Sequence, residues 1–198
     1  IAVGKRCGKH STAQQFINKR LIDAARSHQI VIRLKGGDPM IFGRAEEEIT
    51  ALESAGIVVE VVPGITAALA AAAALKQSLT LRGVARSVAF ATQSKVDDSE
   101  VLPLPTADTL VLYMGRDNSA HIAQQLMHQG KSADTPVRII ESISTPKERA
   151  LALTLSDMAA GHALTWLDGQ APALVLVGAV FGNSLQNAEI LADSLLRA

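Results

Sequence analysis

Residues 30–39 read IVIRLKGGDP, and the change of residue type within this stretch decides the fold that the sequence predicts. The first three residues are β-branched and apolar, which is typical of a buried strand. Residues 36–39 then favour a turn, because glycine adopts positive φ freely and Asp and Pro are common turn residues. Residues 12–28, which precede the strand, carry apolar side chains at helical spacing. The segment therefore predicts a helix, a strand and a turn in that order.

The same order recurs downstream. Residues 46–54 have a helical composition. Residues 57–62 are β-branched and apolar except for Glu60, and Pro63-Gly64 ends them in a turn. Residues 65–75 form an alanine-rich stretch that is shorter than the roughly 20 residues of a membrane-spanning helix. We expect a buried helix there. The alternation of helix and strand indicates an α/β fold.

The second half of the chain predicts more strands and fewer helices. Strands are expected at residues 87–92, 109–114, 137–142, 150–154 and 173–180. Helices are expected at residues 119–129, with Gly130 as the C-terminal cap, and at residues 185–197.

This change in pattern predicts two domains. We place the boundary near residues 79–83, which gives an N-terminal domain of residues 1–80 and a C-terminal domain of residues 81–198. Residues 94–108 contain two Asp and two Pro before the final Asp108 and predict an exposed loop.

The composition argues against several classes of function. The 198 residues are 48% hydrophobic, which is enough for a buried core, and the formal net charge is 0. No overall basic field attracts nucleic acid or an anionic membrane, so we expect neither as a partner. The single cysteine, Cys7, has no internal disulfide partner, which fits a cytoplasmic protein. Cys7 and His10 lack the further ligands of a closed zinc site, so no metal is expected.

Three predicted strand ends carry residues suited to ligand binding, since ligands of open α/β sheets bind at the carboxyl ends of strands. The first is residues 33–39, which is also compatible with an ordinary turn. The second is residues 61–67, where Thr66 either caps the following helix or binds a polar ligand. The third ends at Tyr113-Met114, two residues that are usually found in the core. The basic opening, residues 4–10, suits either binding of carboxylates or a solvated loop.

Several motifs resemble one known family. They are residues 3–6 (VGKR), 33–44 (RLKGGDPMIFGR), 61–66 (VVPGIT), 113–115 (YMG) and 172–178 (PALVLVG). The resemblance is to the tetrapyrrole methylases, and within them to the uroporphyrinogen-III C-methyltransferases, which include the C-terminal module of sirohaem synthase. It runs through almost the whole chain.

The resemblance implies a fold and an activity. The fold would be two α/β domains with the methyl donor in a cleft between them, and the protein would be a homodimer. The activity would be transfer of methyl groups from S-adenosylmethionine to two carbons of uroporphyrinogen III, which gives precorrin-2 and S-adenosylhomocysteine. This reaction belongs to sirohaem and cobalamin biosynthesis.

The resemblance also implies roles for individual residues. Lys5 matches a proposed proton donor, and Arg33 is a candidate contact for the tetrapyrrole carboxylates. The residues that match the donor site are Gly36, Gly37, Asp38, Ile41, Thr66, Ala67 and Met114.

The sequence departs from the family pattern at several points. The family's glycine-rich loop and a following aspartate do not occur, so we expect the N-terminal part to be truncated and the fragment alone to be inactive. Residues 80–83 read TLRG where the family has THRD, and residues 92–94 read TQS where it has TGH. Ile143 replaces a usual glycine on the donor side, where backbone contacts remain feasible but the side chain would crowd the adenine.

These departures leave two alternatives to a working uroporphyrinogen-III methyltransferase. One is a degenerate relative that binds a tetrapyrrole without turnover. The other is a methylase of a later precorrin. Binding of the donor separates the first alternative from an enzyme, and the mass and regiochemistry of the product separate the second.

Overall fold

The structure, a computed structural model, describes residues 12–93, 103–169 and 171–182. The chain divides into two compact units, residues 1–66 and residues 67–198. The predicted Lys5 and the predicted helix at residues 185–197 lie outside the described residues, as does most of the loop predicted at residues 94–108.

Two helices pack together in the first unit. Helix α1 spans Thr12–Ser27 and helix α2 spans Ala45–Ser54, so both predicted helices are confirmed. Ile17 and Leu21 lie four residues apart on α1 and are buried. This spacing places their side chains on one face of the helix, as the apolar periodicity predicts.

The two strands predicted in the first unit are wrong. Residues 30–35 and 57–65 form neither a helix nor a strand, and they pair with no other described segment in a β-ladder. Ile30 is 81% exposed, Ile32 is 77% exposed and Val58 is 96% exposed. A β-branched apolar sequence favours extended backbone, but a strand also needs a neighbouring strand to pair its N–H and C=O groups. The described part of this unit supplies none.

The second unit is built on a five-stranded sheet in the order β1-β2-β5-β3-β4. The strands are β1 (Val88–Thr92), β2 (Thr109–Tyr113), β3 (Pro136–Glu141), β4 (Arg149–Thr154) and β5 (Ala173–Val177). All five predicted strands of this half are therefore confirmed, but the last is shorter than the predicted 173–180, because a 3-10 helix spans Ala179–Phe181. The sheet and its flanking helices also confirm the α/β class.

The strand directions bring several segments to one edge of the sheet. Strand β1 is parallel to β2, while β5 is antiparallel to both of its neighbours, β2 and β3. The carboxyl ends of β1, β2 and β3 therefore lie at the same edge as the amino end of β5. Strand β4, antiparallel to β3, also begins there. We call this the ligand edge, because two of the predicted donor residues, Met114 and Ile143, follow β2 and β3.

Helices cover both faces of this sheet. On one face, α4 (Ser119–His128), α5 (Leu155–Ala159) and α6 (His162–Trp166) enclose an apolar cluster that includes Leu112, Ile139 and Val175. On the other face, α3 (Ala67–Leu75) packs with Val111, Leu176 and Phe181. The predicted cap of α4 is confirmed: Gly130 has φ 95° and donates its amide to the Met127 carbonyl.

The alanine-rich helix belongs to the second unit. Ala68 and Ala71 are fully buried against that unit's sheet, and the small side chains allow close packing. The predicted boundary at residues 80 and 81 places this helix in the first domain, whereas the compact units divide after Thr66. The predicted domain limit stays a prediction. No helix of the described residues is long and apolar enough to cross a membrane.

Gly178 closes the sheet at the edge opposite the ligand edge. It follows β5 and donates its amide to the Pro136 carbonyl over 3.0 Å. A Cβ atom added at Gly178 would lie 2.8 Å from the Asp108 carbonyl oxygen and 3.2 Å from the Thr109 Cα atom. Both are backbone atoms at the start of β2, so room for a Cβ atom is made only if the strands move apart.

We therefore expect Gly178→Ala to lower the free energy of unfolding by about 2 kcal/mol, through overpacking. The matched control is Gly169→Ala, because a Cβ atom there meets nothing within 4 Å. Chemical denaturation of both variants measures the difference. Equal stability of the two variants would contradict this account of Gly178.

Candidate functional site

The predicted turn at residues 36–43 is organised by one carboxylate. Asp38 Oδ1 accepts a hydrogen bond from the Met40 amide over 2.8 Å, and the Asp38 carbonyl accepts one from the Ile41 amide over 3.4 Å. Gly37 has φ 73°, a left-handed conformation that glycine adopts without strain. Gly43 approaches Pro39 so closely that an added Cβ atom would lie 2.5 Å from the Pro39 carbonyl oxygen. The Gly-Gly-Asp-Pro sequence thus forms a tight turn, as predicted.

The same carboxylate joins this turn to the second predicted turn. Asp38 Oδ2 accepts a hydrogen bond from the Gly64 amide over 2.9 Å. A Cβ atom added at Gly64 would lie 2.4 Å from the Gly37 carbonyl oxygen. Two motifs separated by 26 residues therefore meet through an acid and two glycines. Thr66, which is 7% exposed, follows two residues later and directly precedes α3.

Gly36 borders open space. A Cβ atom added there meets no atom within 4 Å, unlike those at Gly43 and Gly64. The turn also holds two non-glycine residues at positive φ, Phe42 at 50° and Arg44 at 54°. Such conformations cost energy and are concentrated at functional sites. Its open space and its strained residues make the turn a candidate for binding a ligand.

Arg33 is held inside the first unit by a buried acid. Its Nη2 lies 3.2 Å from Glu48 Oε1, and its Nη1 donates to the Leu34 carbonyl over 2.7 Å. Lys35 Nζ lies 3.1 Å from Glu48 Oε2. Arg33 Nε is buried without a hydrogen-bond partner in the described structure. The predicted tetrapyrrole contact at Arg33 stays a prediction, and the structure adds that Arg33 shares one buried counter-charge, Glu48, with Lys35.

Glu48 is 5% exposed and remains charged because of these cations. Burial raises the pKa of Glu48, but the hydrogen bonds from Lys35 and Arg33 and the charges of both groups together hold that pKa below its ordinary value. Gln14, also buried, donates to Glu48 Oε1 over 3.4 Å. Glu48 thus links α1, α2 and the segment that leads into the Gly36-Gly37 turn.

Met114 and Ala67 each neighbour, in sequence, one partner of a hydrogen bond that joins β2 to α3 in the second unit. Tyr113 ends β2, and its hydroxyl accepts a hydrogen bond from the Ala68 amide in the first turn of α3 over 3.1 Å. Met114 follows with φ 55° and is 54% exposed. The expectation that Met114 is a core residue is therefore wrong, since the strand ends at Tyr113 and a left-handed backbone turns Met114 out of the sheet.

Ile143 lies at the same edge, after β3. The residues on either side of it are both in the left-handed region, Ser142 at φ 55° and Ser144 at φ 63°. Ser142 donates its amide to the Pro172 carbonyl over 2.9 Å, which attaches this turn to the start of β5. The Ile143 side chain is partly buried and packs beside the apolar cluster under α3. The backbone of this turn is strained, although no glycine is present.

The other positions that depart from the family pattern have local structural roles. Leu81 and Ala85 form an isolated antiparallel bridge around Gly83, which has φ 77°. Gln93 follows β1 and donates its side-chain amide to Gln125 Oε1 over 2.6 Å. Ser94 lies outside the described residues.

The structure thus groups the predicted residues into two sets. Arg33, Gly36, Gly37, Asp38, Ile41 and Thr66 lie in the first unit, and Ala67, Met114 and Ile143 lie in the second. Sequence reasoning missed Glu48, Tyr113 and a charged network around Glu141. A signal existed for Glu141, since it is an acid at the end of an apolar strand with Arg149 eight residues later. Within the described ranges, no group of three or more His, Cys, Asp or Glu is placed to hold a metal ion.

Comparison with known proteins agrees with the motifs. Residues 2–159 match the family model of tetrapyrrole (corrin/porphyrin) methylases. Siroheme synthase 1 of Cronobacter sakazakii is 43% identical, over 91% of this chain and 38% of that protein. Uroporphyrinogen-III C-methyltransferase of Paracoccus denitrificans is 44% identical, over 91% of this chain and 64% of that protein. The chain therefore spans less than two thirds of the length of either relative.

The fold is also similar to a solved methyltransferase. The crystal structure of uroporphyrin-III C-methyltransferase from Thermus thermophilus, complexed with S-adenosyl homocysteine, superposes with a TM-score of 0.75. The two sequences are 36% identical, and the match covers 91% of this chain and 76% of that one.

We expect Glu48→Gln to lower the free energy of unfolding by about 2 kcal/mol at neutral pH, because Arg33 and Lys35 lose their buried counter-charge. The pKa of Glu48 is lower in the folded state than in the unfolded state, so its contribution is full above the ordinary glutamate pKa. It is lost as the pH falls through the lowered pKa. Denaturation at a series of pH values should show less acid destabilisation in Glu48→Gln than in the wild type.

Glu47→Gln is the matched control, since Glu47 neighbours Glu48 on α2 but its side chain is 47% exposed and pairs with Arg44. We expect it to change stability by less than about 1 kcal/mol. An equal effect of the two substitutions would show that burial of Glu48 is not the cause.

Proposed function

Because the chain belongs to the tetrapyrrole methylase family, we propose that it is the methyl-transferring part of an S-adenosylmethionine-dependent enzyme that converts uroporphyrinogen III to precorrin-2. The observation that carries the proposal is the junction of Gly37, Asp38 and Gly64, in a chain 36% identical to a methyltransferase solved with S-adenosyl homocysteine. The names of the relatives support a role in sirohaem biosynthesis, and cobalamin biosynthesis shares the same product.

The described residues fit an adenosyl donor. In the first unit we assign donor contacts to Gly36, Gly37, Asp38, Ile41 and Thr66, where Gly36 borders open space and Asp38 holds the two turns together. In the second unit we assign them to Ala67, Met114 and Ile143, which lie along the ligand edge. Backbone groups in fixed turns bind a polar ligand without the entropy cost of ordering long side chains.

When bound, the donor supplies a sulfonium methyl group, which a pyrrole carbon of the substrate takes up in line, and S-adenosylhomocysteine is the product. The contribution of the chain is to fix the donor and the substrate in that alignment, which lowers the barrier by proximity and orientation. The positive charge of the sulfonium disappears during transfer, so an unbalanced cation beside it gives no advantage. Glu48 pairs with both Arg33 and Lys35, so this buried acid offsets one of their two positive charges.

The tetrapyrrole carboxylates require cationic partners. We assign one contact to Arg33, whose side chain is 27% exposed and whose Nε has no hydrogen-bond partner in the described residues. Lys5 is proposed as the proton donor on the strength of the family motif. We further propose that the protein is cytoplasmic, which is consistent with its single cysteine. We also propose that it is a homodimer, as in the family.

A second function is favoured by one observation. Ile143 stands where the family usually has glycine, and its side chain lies in a turn whose flanking residues are already strained. A turn of this kind would suit a relative that binds a tetrapyrrole but takes up the donor weakly. Affinity for the donor therefore separates a working methyltransferase from a degenerate one.

We expect the complete protein that contains this chain to bind S-adenosylhomocysteine in calorimetric titration. We also expect it to convert uroporphyrinogen III to a product with two added methyl groups. A folded protein that does not bind S-adenosylhomocysteine would favour the degenerate relative. Binding without methylation of uroporphyrinogen III, but with methylation of a later precorrin, would identify the other alternative by the mass and regiochemistry of the product.

Gly36→Ala tests the assigned donor site directly. The added methyl group meets no protein atom within 4 Å, so we expect an unchanged unfolding temperature. If the donor lies against Gly36, the methyl group overlaps it and weakens binding of S-adenosylhomocysteine by about 10-fold or more. Unchanged affinity together with unchanged stability would remove Gly36 from the donor site.

A further inference from the structure

A buried acid, Glu141, organises the ligand edge of the second unit. It ends β3 and is 2% exposed. Its Oε1 accepts a hydrogen bond from the Asp168 amide over 2.9 Å, and its Oε2 accepts one from Arg149 Nε. Burial raises the pKa of Glu141, but these hydrogen bonds and the charges of Arg149 and Arg116 together lower it below the ordinary value. The carboxylate is therefore a fixed negative charge at the end of the strand.

Arg149 extends this contact to the end of α6. Its Nη2 donates to the Trp166 carbonyl over 2.8 Å, and its guanidinium carbon lies 4.2 Å from the centroid of the Trp166 ring. Hydrogen bonding and the cation–π contact both hold the guanidinium in place. Arg149 thus joins the start of β4 to Trp166, the last residue of α6.

Arg116 reaches the same segment from β2. Its Nη1 donates to the Ala171 carbonyl over 2.8 Å, and its Nη2 donates to the Asp168 carbonyl. The Arg116 side chain is 16% exposed. A charged donor that serves two backbone acceptors in this setting makes stronger hydrogen bonds than a neutral group would. Arg116 therefore holds the backbone at Asp168 and at Ala171, and Glu141 binds the Asp168 amide.

The clamped segment leads directly into the proposed donor site. The Pro172 carbonyl accepts the Ser142 amide, and Ala173 pairs with Glu141 in the ladder between β3 and β5. On the other side, Val175 pairs with Leu112, two residues before Met114. Strand β5 thus begins between the two strand ends that carry Met114 and Ile143. A displacement of Ala171 and Pro172 would move the start of β5 relative to both.

We propose that Arg116 is a positioning residue for the methyl donor, acting through Asp168, Ala171 and Pro172 and supported by Glu141. The inference rests on the proposed function. Arg116 does not need to touch the donor. It fixes the backbone at the start of β5, so that Met114 and the turn around Ile143 are held in the conformation that binds the donor.

The test is calorimetric titration of the complete protein with S-adenosylhomocysteine. Arg116→Met keeps the length of the side chain but removes both hydrogen bonds, and we expect about 10-fold weaker binding. Arg116→Lys retains a positive charge and at least one donor, and we expect it to recover most of the affinity. The KM for uroporphyrinogen III, measured at saturating donor, should change by less than about 2-fold in both variants, because the clamp acts on donor binding.

Arg138→Met is the matched control. Arg138 lies on β3 of the same sheet and is also partly buried, but it donates to Gln77 Oε1 over 3.1 Å and is away from the ligand edge. We expect its affinity for S-adenosylhomocysteine to equal that of the wild type. Equal weakening in Arg116→Met and Arg138→Met, with equal loss of thermal stability, would overturn the proposal in favour of general destabilisation. If Arg116→Met does not fold, Arg116→Lys is compared with Gly178→Ala, which is destabilised away from the ligand edge. Equal weakening of S-adenosylhomocysteine binding in these two variants would also overturn the proposal.

Failure of this inference is distinct from failure of the proposed function. If the wild type does not bind S-adenosylhomocysteine, the proposed function fails first. If the wild type binds and Arg116→Met binds equally well, only the positioning role of Arg116 is removed.

Discussion

Strand β5 runs between β2 and β3 in the opposite direction to both, and the rest of the second unit depends on this pairing. Its ladders to Leu112 on one side and Ile140 on the other fix the register of the three central strands. Because the register is fixed, the chain leaves β2 at Met114 and β3 at Ser142 next to the point where it enters β5. The hydrogen bond between Ser142 and Pro172 closes that edge.

At the ligand edge the backbone is strained where β2 and β3 end, and charged side chains bond the neighbouring segments. Met114, Ser142 and Ser144 all have left-handed backbones without being glycine. Residues persist in such conformations only when their surroundings over-determine them. Glu141, Arg116 and Arg149 supply much of that constraint, because each bonds backbone or side-chain groups of another segment at the same edge. A binding site with this support is preorganised, and its ligand meets less of the cost of ordering it.

In the first unit, too, carboxylates hold together segments that are distant in sequence. Asp38 accepts amides from two turns, and the close approach of Gly64 to the Gly37 carbonyl leaves no room for a side chain. Glu48 pairs with Arg33 and Lys35, so a buried acid offsets one of the two positive charges on the segment that carries the motif. The proposed methyl transfer removes positive charge from the sulfonium, so a reduced cationic charge on this segment is favourable.

The sequence by itself determined the α/β class, both helices of the first unit, the five strands of the second and the turns around Gly36 and Gly64. It did so because helical periodicity, β-branched runs and turn residues act over a few residues of chain. Only the tertiary structure decided that residues 30–32 and 57–62 have no ladder partner in the described residues, since pairing depends on another segment and not on propensity. It also decided that Asp38 bonds Gly64, that Glu48 pairs with Arg33 and Lys35, and that Arg116 and Glu141 hold Asp168 and Ala171. Each of these contacts joins residues that are distant in sequence, and a carboxylate or guanidinium in a sequence does not show which backbone group it will reach.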